Sequence, residues 1–143
     1  IMCNYFSLNY HTKHEWTGEQ SNGEITIKGG VPVMSMGSPH IPDRYSPEHL
    51  LILSAETCLA NVFPLNSSKS RFEVKAYSSS TTGELDGDGK TGYEFKRIVI
   101  RPIVTVAAGQ EPKGERLLEK AYGLCISRAL KCPVDMEANI IAA

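Results

Sequence analysis

Much that would point to a familiar activity is missing from these 143 residues. Cysteine occurs four times and tryptophan once, and the longest unbroken apolar runs are only a few residues. A membrane-spanning helix takes about 20 apolar residues, so none is expected. Fifteen basic residues stand against sixteen acidic ones, with no basic block. That balance offers no electrostatic grip on nucleic acid or an anionic membrane surface. No C-x-x-C or H-x-x-x-H pair occurs: His11, His14, His40 and His49 are scattered, and Cys125 and Cys132 stand seven apart. Zinc is therefore not expected. The glycines form neither G-x-G-x-x-G nor a P-loop, which removes the usual ground for nucleotide binding. Residues 1–10 lack the charged start and apolar core of a signal peptide, which makes the cytoplasm the expected location. Thiols stay reduced there unless chemistry oxidises them. Cys3, Cys58, Cys125 and Cys132 thus read as candidate thiols or a catalytic pair rather than as a structural disulfide framework.

The residues that are present give an α+β pattern of a size suited to one domain over residues 1–143. Residues 24–28 alternate strictly, between turn residues at 21–23 and Gly29-Gly30, as a half-buried strand does. Residues 4–11 and 31–36 are weaker strand candidates, the latter with Pro32 at a strand start or an edge. Ser46 is a helix N-cap, Pro47 takes the favoured first helical position, and Glu48 complements the positive end of the dipole. The helix carries Leu50, Leu51, Ile52, Leu53, Ala55, Leu59, Ala60 and Val62. Apolar over much of its circumference, it reads as buried on more than one side. Pro64 ends it or kinks it. Strands come next at 72–77, with a polar continuation to 84 on a solvated sheet, and at 93–106, where Pro102 implies a bulge or an edge. Residues 114–131 form a second amphipathic helical region that Gly123 can divide, and residues 133–141 close the chain as a strand.

Two segments carry the candidate chemistry: residues 45–59 (YSPEHLLILSAETCL) and 121–135 (AYGLCISRALKCPVD). The first resembles the Pro-Glu-x-Leu helix start of the OsmC/Ohr family, with ten residues from Glu48 to Cys58. The second resembles that family's later Cys-x-Ser followed by a Pro-Val strand. Trp16-Thr-Gly18 and Gly23 before an alternating strand are similar to its N-terminal hairpin. The resemblance implies an OsmC-like fold, antiparallel sheets packed around a central buried helix, in an intertwined homodimer. It makes Cys58 the peroxidatic cysteine, Cys125 the resolving one, and Glu48 the acid that orients a catalytic arginine. It also implies reduction of a small organic hydroperoxide, no bound cofactor, and an external dithiol such as dihydrolipoamide as reductant. Arg44 is the only arginine before the helix. The cation is open between Arg44, His40 and Lys28, and Arg44 reads equally as a solvated surface residue.

Spacing adds a constraint of its own. Ten residues of continuous helix separate Glu48 from Cys58 by roughly 15 Å along the axis, beyond the reach of a carboxylate. If both serve one site, Glu48 comes from a second subunit. Read singly, the same residues are ordinary: Cys58 a small core residue, Glu48 a first-turn acid, Cys3 and Cys132 incidental, Met34 and Met36 core. Cys125, after Gly123, could open a helix whose dipole would lower its thiol pKa. Glu56 is unusual in an apolar helix and, about 200° around from Cys58, should face away from the thiol. Two functions are consistent with these residues: a thiol-dependent organic hydroperoxide reductase, or a redox-sensing or small apolar ligand-binding dimer of the same fold. A purely structural dimer is a third reading.

Overall fold

The computed structural model describes residues 12–16, 23–27, 33–38, 41–125, 130 and 132–143. The expected strand at 4–11 lies outside them, as do Cys3, Lys28 and His40. The chain divides into two compact units, residues 1–50 and 51–143.

In the first unit, β1 (Thr12–Trp16), β2 (Gly23–Ile27) and β3 (Met34–Met36) form a three-stranded sheet. Both pairings are antiparallel, with His14 opposite Ile25 and Glu24 opposite Ser35. After β3 the chain returns beside it: Tyr45 donates its backbone N–H to Ser35, and Gly37 donates to Tyr45. Asp43 makes this turn in the left-handed region, at φ 58°, a conformation that Asp tolerates better than most side chains. Ser46 is fully buried and caps α1 (Pro47–Lys69) by accepting the N–H of His49 at 3.2 Å. Its hydroxyl also lies 2.7 Å from His49 Nδ1, so the cap and the first turn brace each other.

Helix α1 runs continuously across the boundary between the units and through Pro64 to Lys69. Pro64 therefore does not end it. Termination comes at Arg71, whose φ of 50° turns the chain, while Phe72 donates its N–H back to Ser67. Residues 72–75, expected in a strand, are consumed in this exit, and β4 begins at Ala76.

The second unit is built on a long hairpin, β4 (Ala76–Asp88) and β5 (Gly92–Val106), antiparallel with a bulge between Glu84 and Leu85. Asp88 closes its tip by accepting the N–H groups of Lys90 and Thr91 at 2.8 and 2.7 Å. Those bonds hold the carboxyl below its ordinary pKa. Helix α2 (Glu111–Gly123) then crosses over and delivers β6 (Val134–Met136) and β7 (Asn139–Ala142) parallel to β5. Pairing is thus mixed rather than antiparallel throughout, because a return through a helix brings the next strand back in the same direction. Pro102 sits neither at an edge nor at the bulge: it lies on the central strand, opposite Ser79. The expected closing strand is split beside it. β6 ends opposite Ile100 and β7 begins opposite Ile103, so the position without an N–H falls in the gap.

The core of this unit joins Ala55, Leu59 and Phe63 of α1, Ile100, Val104 and Val106 of β5, and Leu118, Ala121 and Cys125 from α2 and its end. Each large apolar side chain buried there contributes roughly 1.5–3 kcal/mol. Within one chain α1 buries a single strip, Ala55, Leu59, Phe63 and Ser67, at a spacing of four. Leu53 and Leu65 stay 39% and 56% exposed, so the expected burial on several sides is absent from the single chain.

Candidate thiol site

Cys125 lies in the core of the second unit, and the half-buried Cys58 packs against that core from α1. Cys125 is buried, and its Sγ–H donates to the backbone carbonyl of Ala55 at 3.5 Å. Ala55 lies three residues before Cys58, on the adjacent turn of the same side of α1. A helical side chain leans toward the N-terminus of its helix, so the half-buried Cys58 covers the turn on which Cys125 rests. Cys58 packs against the same core cluster that contains Cys125. Two thiols expected to cooperate are thus brought to one patch of α1 from positions 67 residues apart in sequence.

The expected helix start at Cys125 falls on residues outside the described ones. Cys125 comes after the C-terminal end of α2, and its own N–H donates to Tyr122. The negative end of the α2 dipole, two residues before it, opposes a thiolate. Residues 126–129, next in the chain, lie outside the described residues.

A second feature of the site was not anticipated. Glu56 is half-buried, and Ser79 of β4 donates its hydroxyl to Glu56 Oε1 at 2.8 Å. Tyr77, Ser79 and Thr81 alternate inward on β4, half-buried between exposed neighbours, so this stretch is not a solvated strand on both faces. Phe63 meets Tyr77 with ring centroids 5.9 Å apart, and Ile52 lies against Gly83, so α1 runs antiparallel along β4. The hydroxyls of Tyr77 and Thr81 are sealed from solvent and make no well-formed hydrogen bond among the described residues. Burial pushes the Tyr77 phenol above its ordinary pKa. The Ser79 hydroxyl opposes that shift, and the negative charge of Glu56, with that of Cys125 once ionised, adds to it. The signal in the sequence was the period-two polar run of β4; what it lacked was any sign that Glu56 would meet it.

The other two candidates lie in the first unit. Glu48 is half-buried in the first turn of α1, and its enclosed Oε2 has no hydrogen-bond partner among the described residues. Arg44 is exposed and makes no ion pair among the described residues, with Glu48 or any other acid. Cys132, half-buried, lines a separate cavity of about 490 Å³ with Leu51, Phe95, Lys96, Leu130 and Pro133. Among the described residues, no three His, Cys, Asp or Glu side chains converge to hold a metal ion.

A long helix laid on a β-hairpin, a crossover helix and a cysteine from each helical segment meeting in the core define a class that comparison identifies. The model of the OsmC-like protein family matches residues 40–139, and the chain belongs to that family. Solved structures with the same fold include an OsmC-like protein of unknown function from Vibrio cholerae, at TM-score 0.80 and 18% identity. That match covers 92% of this chain and 99% of the other. An organic hydroperoxide resistance protein from Elizabethkingia anophelis superposes at TM-score 0.75 and 13% identity, over 98% of this chain and 100% of that one. The organic hydroperoxide resistance protein OhrB of Bacillus subtilis does so at TM-score 0.65 and 18% identity, over 94% and 98%. Among curated proteins, none matches the sequence significantly.

Proposed function

We propose that the protein is a cytoplasmic, thiol-dependent peroxidase that reduces small organic hydroperoxides. The observation that carries this reading is the buried Cys125 sulfur seated on the Ala55 carbonyl, one turn from Cys58. The Cys58 thiolate attacks the terminal peroxide oxygen, the O–O bond breaks, and the alkoxide leaves as an alcohol after taking a proton. Cys58 becomes a sulfenic acid, and Cys125 condenses with it to a disulfide with loss of water. An external dithiol such as dihydrolipoamide restores both thiols. The half-buried position of Cys58 suits an apolar peroxide better than hydrogen peroxide.

The working unit is a homodimer. Leu53 and Leu65 of α1 are exposed in the single chain, and a second copy would cover them. Glu48 Oε2, enclosed and without a partner among the described residues, needs a cation. Arg44 from a neighbouring copy supplies it, and the pair supports Cys58 across the interface.

One observation favours a second reading. Arg44 is exposed and is not paired with Glu48 in its own chain. Should no cation reach Cys58 in the assembly, the protein is a redox-sensing or small apolar ligand-binding member of the family. Mixing the reduced protein with cumene hydroperoxide, and separately with hydrogen peroxide, decides between them. The peroxidase consumes both, the organic peroxide faster, and Cys58→Ser abolishes consumption. Absence of consumption by the wild-type protein would leave the sensing or binding reading.

A further inference from the structure

Peroxidase chemistry leaves Glu56 and Tyr77 without a role, yet Glu56 follows the Ala55 that seats Cys125, and Tyr77 of β4 lies close enough to feel the charges of both Glu56 and Cys125. A half-buried carboxylate on an apolar helix costs desolvation that a leucine would not. Here it accepts the Ser79 hydroxyl at 2.8 Å, and the next residue back, Ala55, accepts the Cys125 thiol at 3.5 Å. Tyr77, two residues before Ser79 on the same face of β4, packs on the core cluster that holds Cys125 and keeps a sealed hydroxyl beside them. The Cys125 sulfur acts as a donor to Ala55, which requires the protonated thiol.

We propose that Glu56, with Ser79 and Tyr77, positions the proton of Cys125: it keeps the resolving sulfur a thiol in the reduced protein and receives its proton at the resolving step. This rests on the peroxidase reading for its place in the cycle, though not for its electrostatics. As Cys125 attacks the Cys58 sulfenic acid, the S–S bond forms and the Cys58 S–O bond breaks. The Cys125 proton passes to the Glu56 carboxylate through the hydroxyls, and the leaving hydroxide takes up a proton as water. Glu56 returns its proton, so the sum is one thiol and one sulfenic acid giving one disulfide and water. Such an arrangement holds back the second thiol, which would otherwise compete for peroxide, until Cys58 has been oxidised. Among the described residues, Tyr122 on α2 also carries a titratable group close to Cys125, and Cys58 on α1 packs on the same core cluster. The Tyr122 phenol is itself raised by burial, by Asp135 and by Cys125.

The test is the pH dependence of Cys125 alkylation by iodoacetamide, followed peptide by peptide over roughly pH 6 to 10, the span around ordinary thiol acidity. Glu56→Gln keeps shape and removes charge. It should shift the Cys125 profile to lower pH and speed its alkylation at neutral pH roughly three- to tenfold, as loss of one nearby charge does. It should also slow closure of the disulfide at neutral pH by a similar factor, because the proton acceptor is gone. Tyr77→Phe should slow closure in the same way, and Ser79→Ala should give a smaller effect. A Cys125 profile unchanged in both Glu56→Gln and Tyr77→Phe would overturn the assignment. Closure is run with cumene hydroperoxide and, in parallel, with diamide, which oxidises thiols without peroxide chemistry. Wild-type protein that closes with diamide and ignores the hydroperoxide ends the peroxidase reading alone, and the alkylation profile still decides the role of Glu56.

Discussion

The two flanks of helix α1 are made on opposite principles. Along one strip Ala55, Leu59 and Phe63 join Ile100, Val104 and Val106, and these six side chains are apolar and fully buried. Along the flank that faces β4, Glu56 meets Ser79, and the Tyr77 and Thr81 hydroxyls are closed off from water. The first flank is how a helix is held to a sheet at least cost. The second retains a carboxylate and hydroxyls where packing alone would favour hydrocarbon, and Tyr77 links it to the cluster that holds Cys125. Stability belongs to the dry flank and proton handling to the polar one. Substitutions should separate them.

The largest effect expected on function comes from the thiols. Cys125→Ser should lose turnover, consuming about one equivalent of organic hydroperoxide per chain to reach the Cys58 sulfenic acid and, in excess peroxide, a second to reach the sulfinic acid; intact-mass measurement reads the added oxygens. On the dry flank, Leu59→Ala should cost about 2–5 kcal/mol in urea unfolding, the range for a fully buried leucine that leaves a cavity. Gly83→Ala, at the far end of β4, places a methyl 2.6 Å from Phe95 Cε1 and 2.8 Å from Ile52 Cγ2. Overpacking of that kind costs about 1–3 kcal/mol, read in the same experiment.

The polar flank should respond in the other direction. Tyr77→Phe removes an enclosed hydroxyl without a good partner among the described residues and should be neutral or stabilising by up to about 1 kcal/mol. The sign of its pH dependence comes from the raised phenol. A group whose pKa is higher folded than unfolded contributes fully below the unfolded value, and its contribution is lost as pH rises through the folded one. Wild-type stability should therefore fall above about pH 10, and Tyr77→Phe should flatten that fall; urea titrations at alkaline pH measure it. The smallest change expected is at the exposed ladder where Arg101 meets Glu137 at 2.8 Å on the sheet. Arg101→Ala should cost less than about 1 kcal/mol, diminishing further in salt.

The features legible in the sequence were local. Ser46, Pro47 and Glu48 announced the start of α1 because a cap is chemistry among adjacent residues, and the alternation of β2 and β5 is likewise a property of neighbours. Cys58 and Cys125 were picked out by a resemblance that runs along the chain. The rest depended on tertiary placement. Pro64 is accommodated because α1 is held by packing on both sides of it, and no residue near it announces that. The partnership of Glu56 with Ser79 comes from the register of α1 on β4, set by Ile52 on Gly83 and Phe63 on Tyr77. The division of the last strand at Pro102 required knowing that β6 and β7 pair with β5. Gly123 reads as a point of division in the second helical region, and α2 ends there.

The most direct measurement is the fate of the two sulfurs in a single turnover. Reduced protein receives one equivalent of cumene hydroperoxide, is quenched with an alkylating agent, and is mapped by peptide mass. The expected product is one disulfide joining the Cys58 and Cys125 peptides within a chain, with Cys132 alkylated and one equivalent of cumyl alcohol formed. Peroxide left unconsumed, or a disulfide that omits Cys58 or Cys125, would contradict the central claim that these two thiols form the reacting pair.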